Sequence, residues 1–259
     1  ILIPPSVILV IYGLLTEQSI GKLFMAGFLP GIMGIIFYTL AVLFVVSRNP
    51  SLGPAGEKSE WKERLLALKD VWTTLALFIF VIGGIYIGLF SATEAAGMGA
   101  AGALLIAISS GNLKFSEYFD VLRDASILAA KLFALLFGAT MFSNFLNRAG
   151  LPDALMGIIN SFELSGIAVI FIILLIYILL GCVFESMSMI LLTVPIFVPL
   201  VQTLGFDLIW FGILVVVVTE ISLITPPIGL NVFVLKGVVK DVSVGTIFYG
   251  VTPFWVADI

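Results

Sequence analysis

The feature that most constrains this chain is a series of long apolar stretches with almost no charge inside them. A helix crossing the hydrocarbon core of a bilayer needs about 20 mostly apolar residues. Residues 20–47 meet that requirement, with Lys22 as their one charge, near an end. Residues 71–90 and 95–109 give two more candidates, the second short and rich in Gly and Ala. Residues 125–147, 165–203 and 207–239 complete the set, and the last two are too long or too interrupted for one straight helix each. Of all residues 61% are hydrophobic and 11% charged, so there is too little polar surface to cover a soluble globule of 259 residues,. The expected fold class is an all-α polytopic membrane protein, with the lipid bilayer as its solvent.

Charge and chemistry narrow the function. Twelve basic residues against sixteen acidic ones leave a net charge of −4, which offers no surface for neutralising phosphates, so no nucleic-acid partner is expected,. Cys182 is the single cysteine, which excludes a disulfide scaffold,. The absence of His removes imidazole metal sites and Ser–His nucleophiles,. An intramembrane aspartyl protease needs two acids at depth, yet Asp153, Asp207, Asp241 and Asp258 stand at segment ends. No enzyme is expected. The opening Ile1-Leu2-Ile3-Pro4-Pro5 has neither Met nor a basic leader, and it reads as the middle of a longer protein,.

Between the apolar stretches the polar connections set topology. Arg48, Lys58, Lys62, Arg64 and Lys69 make residues 48–70 the most basic connection, which places it in the cytoplasm despite Glu57, Glu60, Glu63 and Asp70,. Its first half is a Pro/Gly linker, and residues 59–68 pattern as a short amphipathic helix. Residues 113–124 set Phe115, Phe119 and Leu122 on one face, a pattern that suits a helix lying along the membrane interface,.

The two ends of the chain resemble each other. Pro4-Pro5 is followed by Gly21, Phe24, Gly27 and Pro30; Pro226-Pro227 is followed by Gly245, Phe248, Gly250 and Pro253. The offsets lie between 222 and 224 residues. Repeated halves with interrupted helices at matching positions point to a secondary transporter.

The chemistry of the breaks follows from proline. Pro226 and Pro227 lack N–H groups, so the carbonyls of Ser222 and Leu223 should lose their helical partners, with the helix ending near Leu223,. A second half-helix should start at Pro227 or Ile228. Backbone left open at this depth must face protein, water or an ion. Carbonyls suit Na⁺, so Ser222, Leu223 and the Thr225 hydroxyl are its candidate ligands. The N–H groups of the second half-helix suit a carboxylate. Gly229 permits close approach there and Asn231 supplies an amide; Pro5 and Ser6, at the first repeat's break, are further candidate substrate contacts. A second interrupted region runs from Gly181 to Ser188, followed by Pro195 and Pro199, and adds Ser186 and Ser188 as candidate substrate contacts. Small residues at 138–143 predict a re-entrant hairpin tip inside 125–147, with Gly138 and Ser143 facing the Na⁺ site. Glu94, Glu185 and Glu220 are acids in apolar surroundings, and each is a candidate polar intramembrane group,.

These residues, in order, resemble the large membrane subunit of TRAP (tripartite ATP-independent periplasmic) transporters. The matching stretches are Ile3-Pro4-Pro5-Ser6 with Tyr12-Gly13, Thr93-Glu94-Ala95-Ala96, Gly181-x-x-x-Glu185 and Pro195-x-x-x-Pro199. They continue through Leu204-Gly205-Phe206-Asp207 to Glu220-Ile221-x-x-Ile224-Thr225-Pro226-Pro227-Ile228-Gly229-Leu230-Asn231-Val232-Phe233. The resemblance covers essentially the whole chain, while the family's first half has no counterpart in it. It implies an inverted-repeat, elevator-type transporter in a bacterial inner membrane, with broken helices and a re-entrant hairpin. Residues 1–47 would be transport-domain elements ending repeat one, 48–110 linker and scaffold helices, 111–124 an interfacial arm, and 125–259 the transport-domain elements of repeat two. It also implies Na⁺ coupling, a small four-helix membrane subunit and a periplasmic substrate-binding protein that delivers organic acids such as sialic acid or C4-dicarboxylates. The rival is a dicarboxylate/citrate-type elevator transporter that needs no binding protein; its Ser-Asn-Thr signature is approached only by Ser143-Asn144-Phe145.

Overall fold

The computed structural model describes residues 1–54, 56, 58, 60–111, 115–239 and 241–258. Expectations resting on Glu57, Ser59 and residues 113–114 lie outside the described residues. Among those described, eleven α-helices follow one another and no strand occurs. They are α1 (Val7–Thr16), α2 (Ile20–Arg48), α3 (Trp61–Tyr86), α4 (Ala92–Ser109), α5 (Phe115–Arg148), α6 (Leu151–Ser161), α7 (Gly166–Gly181), α8 (Ser186–Thr203), α9 (Leu208–Ile224), α10 (Leu230–Val238) and α11 (Val244–Asp258). Four of these contain a stretch long and apolar enough to cross a membrane: α2, α4, α5 and α8. A fifth candidate is α3, which bends by 63° between Lys69 and Val71, at the junction of the expected amphipathic and spanning segments.

Helix starts are set by short polar side chains placed just ahead of apolar runs, where the first N–H groups have no partner within the helix. Ser6, Ser19 and Ser165 accept from the amides of Leu9, Lys22 and Ala168 at 3.3, 3.4 and 3.3 Å. Asp207 accepts from Trp210 N at 2.8 Å. In hydrocarbon each such bond replaces one that water would otherwise make.

The chain forms two compact units. One is Gly53–Ala134, in which α3 packs antiparallel to α4: Leu77 lies on Gly102 and Val81 on Gly99. The other joins Ile1–Leu52 to Leu135–Ile259. Its centre is α9, which packs against α1, α2, α7, α8, α10 and α11. Phe211, Val215, Val216, Thr219 and Ser222 on α9 are fully buried. Tyr12 of α1, also fully buried, donates to the Leu208 carbonyl at 2.6 Å and ties α1 to the start of α9.

Several expectations need correction. No hairpin tip forms at 138–143: α5 is continuous from Phe115 to Arg148. Gly138 and Ser143 are interior positions of that helix, and the Thr140 hydroxyl donates back to the Leu136 carbonyl at 2.8 Å, a bond that helices accommodate,. Small residues do not by themselves end a helix. The chain instead turns at Ala149–Gly150, where Gly150 adopts φ +75° ahead of the short α6. Residues 115–124 likewise form the first turns of α5 rather than a separate arm helix. Pro195 and Pro199 lie within an unbroken α8, and the interruption falls at 182–185.

The repeat extends further than its glycines and prolines. Both Pro-Pro bonds are cis. Each precedes a short helix, α1 of ten residues or α10 of nine. A longer helix with an internal proline then follows: Pro30 in α2 and Pro253 in α11. Ser19 and Ser243 receive the amides of Lys22 and Thr246 at its start. The two longer helices, α2 and α11, pack on each other.

Candidate functional site

The site is built where α9 stops. Without N–H groups at 226 and 227 the helix cannot add another turn, and Thr225 becomes an extended cap (φ −83°, ψ 133°),. The helix therefore runs to Ile224, one residue beyond the expected end. The next helix begins only at Leu230, because Gly229 turns the backbone left-handed at φ +56°. A Cβ there would stand 3.2 Å from both the Thr225 carbonyl and Phe248, so a side chain would be strained in conformation and crowded in space,.

The free carbonyls differ from those expected. Ser222 O is not stripped, since the Thr225 amide reaches it at 3.1 Å. Among the described residues no hydrogen bond reaches the carbonyls of Leu223 and Ile224. The Ser222 hydroxyl donates to Thr219 O at 2.6 Å, and the Thr225 hydroxyl donates to Ile221 O at 2.6 Å. Trp255 of α11 donates its indole N–H to the Thr225 hydroxyl at 2.8 Å.

The second interruption meets the first. Gly181, the last residue of α7, lies directly on Ser222, and any Cβ at 181 would collide with the Ser222 side chain. The next residue, Cys182, brings its Sγ to 3.8 Å from Thr225 O and 3.6 Å from Pro226 O. The breaks at 182–185 and 225–229 are thus neighbours, more than 40 residues apart in sequence. Beyond the first, Glu185 caps α8, accepting from the Ser188 amide at 3.2 Å, and Ser186 is buried at the first helical position. Their part is local: they start α8 beside the meeting point.

The other candidates are placed as follows. Ser6 is buried and caps α1, next to exposed Pro5. Asn231 is exposed on the first turn of α10. Glu94 closes a capping box with Ser91: its carboxylate accepts from the Ser91 amide and hydroxyl, each at 2.8 Å, in the unit of α3 and α4. Glu220 is half-buried on α9, and its Oε1 is buried with no partner among the described residues. It lines a cavity of about 470 Å³ with Ile3, Pro30, Tyr38, Val217 and Asp258, where Tyr38 donates to Asp258 at 2.8 Å. Sequence reasoning missed Trp255, Cys182, Tyr38 and Asp258. Their contacts join distant segments, and only the α2–α11 repeat hinted that residues around 255 pack near a break.

The whole chain, residues 1–259, matches the family model described as tripartite ATP-independent periplasmic transporter, DctM component. It is 35% identical over 240 residues to a C4-dicarboxylate TRAP transporter large permease protein of Pseudomonas aeruginosa, covering 92% of this chain and 56% of that protein. It is 30% identical over 256 residues to a sialic acid TRAP transporter large permease protein of Vibrio cholerae, covering 98% and 59%. A similar match, 29% over 255 residues, covers 98% of the chain and 59% of an ectoine/5-hydroxyectoine TRAP transporter large permease protein of Ruegeria pomeroyi. The chain thus spans somewhat more than half the length of these relatives.

Proposed function

Because this chain belongs to the DctM-component family of tripartite ATP-independent periplasmic transporters, we propose that it carries the ion-coupling half of a Na⁺-driven importer of small organic acids. It works as a multi-pass permease in a bacterial inner membrane, beside a small four-helix membrane subunit. A periplasmic binding protein delivers the substrate. The relatives named above handle a dicarboxylate, sialic acid and ectoine at nearly equal similarity, all carboxylated molecules, so the cargo class proposed here is a carboxylate.

The observation that carries this reading is the meeting of two broken helices around unpaired carbonyls. Leu223 O and Ile224 O end α9 with nothing donating to them among the described residues, and each would cost several kcal/mol if left in hydrocarbon,. Na⁺, here a co-transported cargo, prefers such oxygen ligands, and Thr225 adds a hydroxyl beside them. The N-terminal amides of α10 present the opposite polarity, which favours a carboxylate next to Gly229 and Asn231,. Ser186, Ser188, Pro5 and Ser6 start the neighbouring helices α8 and α1 and would complete the lining. The unit holding α7–α11 would move as the transport body, with α3 and α4 as scaffold.

The experiment is uptake of labelled carboxylates into proteoliposomes holding the complete transporter. Uptake should need both an inward Na⁺ gradient and added binding protein. Uptake that proceeds equally well with K⁺ replacing Na⁺ removes the coupling, and uptake without binding protein favours the stand-alone elevator class.

A further inference from the structure

Trp255 is the one side chain on α11 that hydrogen-bonds to the break at 225–229 among the described residues. Its indole N–H is a donor with no acceptor capacity, so the Thr225 oxygen must accept from it,. The Thr225 proton is then committed elsewhere, and the structure places it on Ile221 O at 2.6 Å. A hydroxyl oxygen has two lone pairs. One is taken by Trp255, and the other remains, with the proton held on Ile221 O. A cation arriving at the carbonyl ends of α9 therefore meets oxygen and not hydrogen.

The first repeat shows what the pair is for. The position equivalent to Thr225 is Ile3, and the one equivalent to Trp255 is Ile32. Hydroxyl and indole are both present in repeat two and both replaced by isoleucine in repeat one. There Ile3 meets α2 through apolar contact with Gly31. The same two elements pack at both breaks, but only the second is wired by a hydrogen bond. In the first repeat Ile32 is exposed and the contact with Ile3 falls on Gly31, so the polar link is a feature of the second break. Trp255 also lines a cavity of about 400 Å³ with Pro226, Phe248, Tyr249 and Thr252, so its ring borders open space on one side of the break.

We propose that Trp255 is a positioning residue for Na⁺ coupling: its N–H holds the Thr225 hydroxyl as a cation acceptor, at the second break and not at the first. The inference rests on the Na⁺ reading of Thr225 given above. The test titrates Na⁺ in the complete transporter with its partner subunits, by uptake and by Na⁺-dependent rise of the melting temperature of the purified complex. Trp255→Phe keeps an aromatic ring and removes the donor. It should raise the Na⁺ concentration for half-maximal effect roughly threefold to tenfold in both assays, while the maximal rate stays within about twofold. Trp255→His restores a ring N–H and should return most of the shift. Combining Trp255→Phe with Thr225→Val should add little to Thr225→Val alone, since both remove one interaction.

The proposal is overturned if Thr225→Val shifts the Na⁺ dependence and Trp255→Phe does not. It is equally overturned if Trp255→Phe lowers maximal rate and melting temperature with no Na⁺-dependent component, the signature of packing alone. If Thr225→Val itself leaves Na⁺ dependence unchanged, the ion reading has failed and Trp255 falls with it. Should Trp255→Phe not assemble, Trp255→Met is titrated in its place with the same two outcomes.

Discussion

Single residues decide how close the broken helices come. Gly181 is the clearest case, because no Cβ fits between it and Ser222. Gly181→Ala must push α7 off α9, and overpacking of this kind costs about 1–3 kcal/mol. A lower melting temperature of the purified complex is expected, with Ser222→Gly in the same chain recovering part of the loss; a melting temperature unchanged by Gly181→Ala would mean the contact is looser than it stands. The polar residues show how a sequence misleads at this scale. Glu185 and Glu94 were candidates because acids in apolar surroundings are costly, and Ser6 because it stands at the first repeat's break, yet each is occupied in starting a helix. Ser91-x-x-Glu94 carries the capping-box spacing, so that role was legible in the residues themselves. Trp255 and Cys182 were not, since each meets Thr225 across 30 and 43 residues, and nothing in local pattern reports such a contact.

Elements were read well at the paired prolines 226 and 227 and poorly where single prolines or composition alone were used. Two adjacent missing N–H groups leave no partner for two successive carbonyls, and the break after α9 falls within a residue of its expected place,. Start of the following helix was displaced to Leu230 because a left-handed Gly229 adds residues to the bridge. At 138–143 the argument rested on small side chains, which are compatible with a helix, and α5 runs straight through. Thr140→Pro distinguishes the two. In a continuous helix it removes a hydrogen bond and clashes with the preceding turn, costing about 3 kcal/mol or more. The expected result is a large drop in assembled, folded transporter. Wild-type levels and activity would indicate a non-helical tip at 140 after all.

For the whole molecule, membrane class follows from the apolar stretches, and the repeat was visible through its two Pro-Pro pairs. Ile1–Leu52 groups with Leu135–Ile259, where α2 and α11 pack on each other and both on α9. Substrate identity is a different matter. Relatives with three different named substrates match with 29–35% identity, so overall similarity does not select among them. What they share with this chain is the family, and the broken-helix core is where a common coupling step would reside. The central claim is that Na⁺ binds at the end of α9 with the Thr225 hydroxyl as a ligand. It is tested most directly by the Na⁺ dependence of carboxylate uptake in proteoliposomes, comparing the complete wild-type transporter with Thr225→Val, which keeps the shape and removes one oxygen. Loss of one charge-assisted ligand should raise the half-saturating Na⁺ concentration roughly tenfold, with uptake recovered at high Na⁺; superimposable Na⁺ curves for the two proteins would contradict the account.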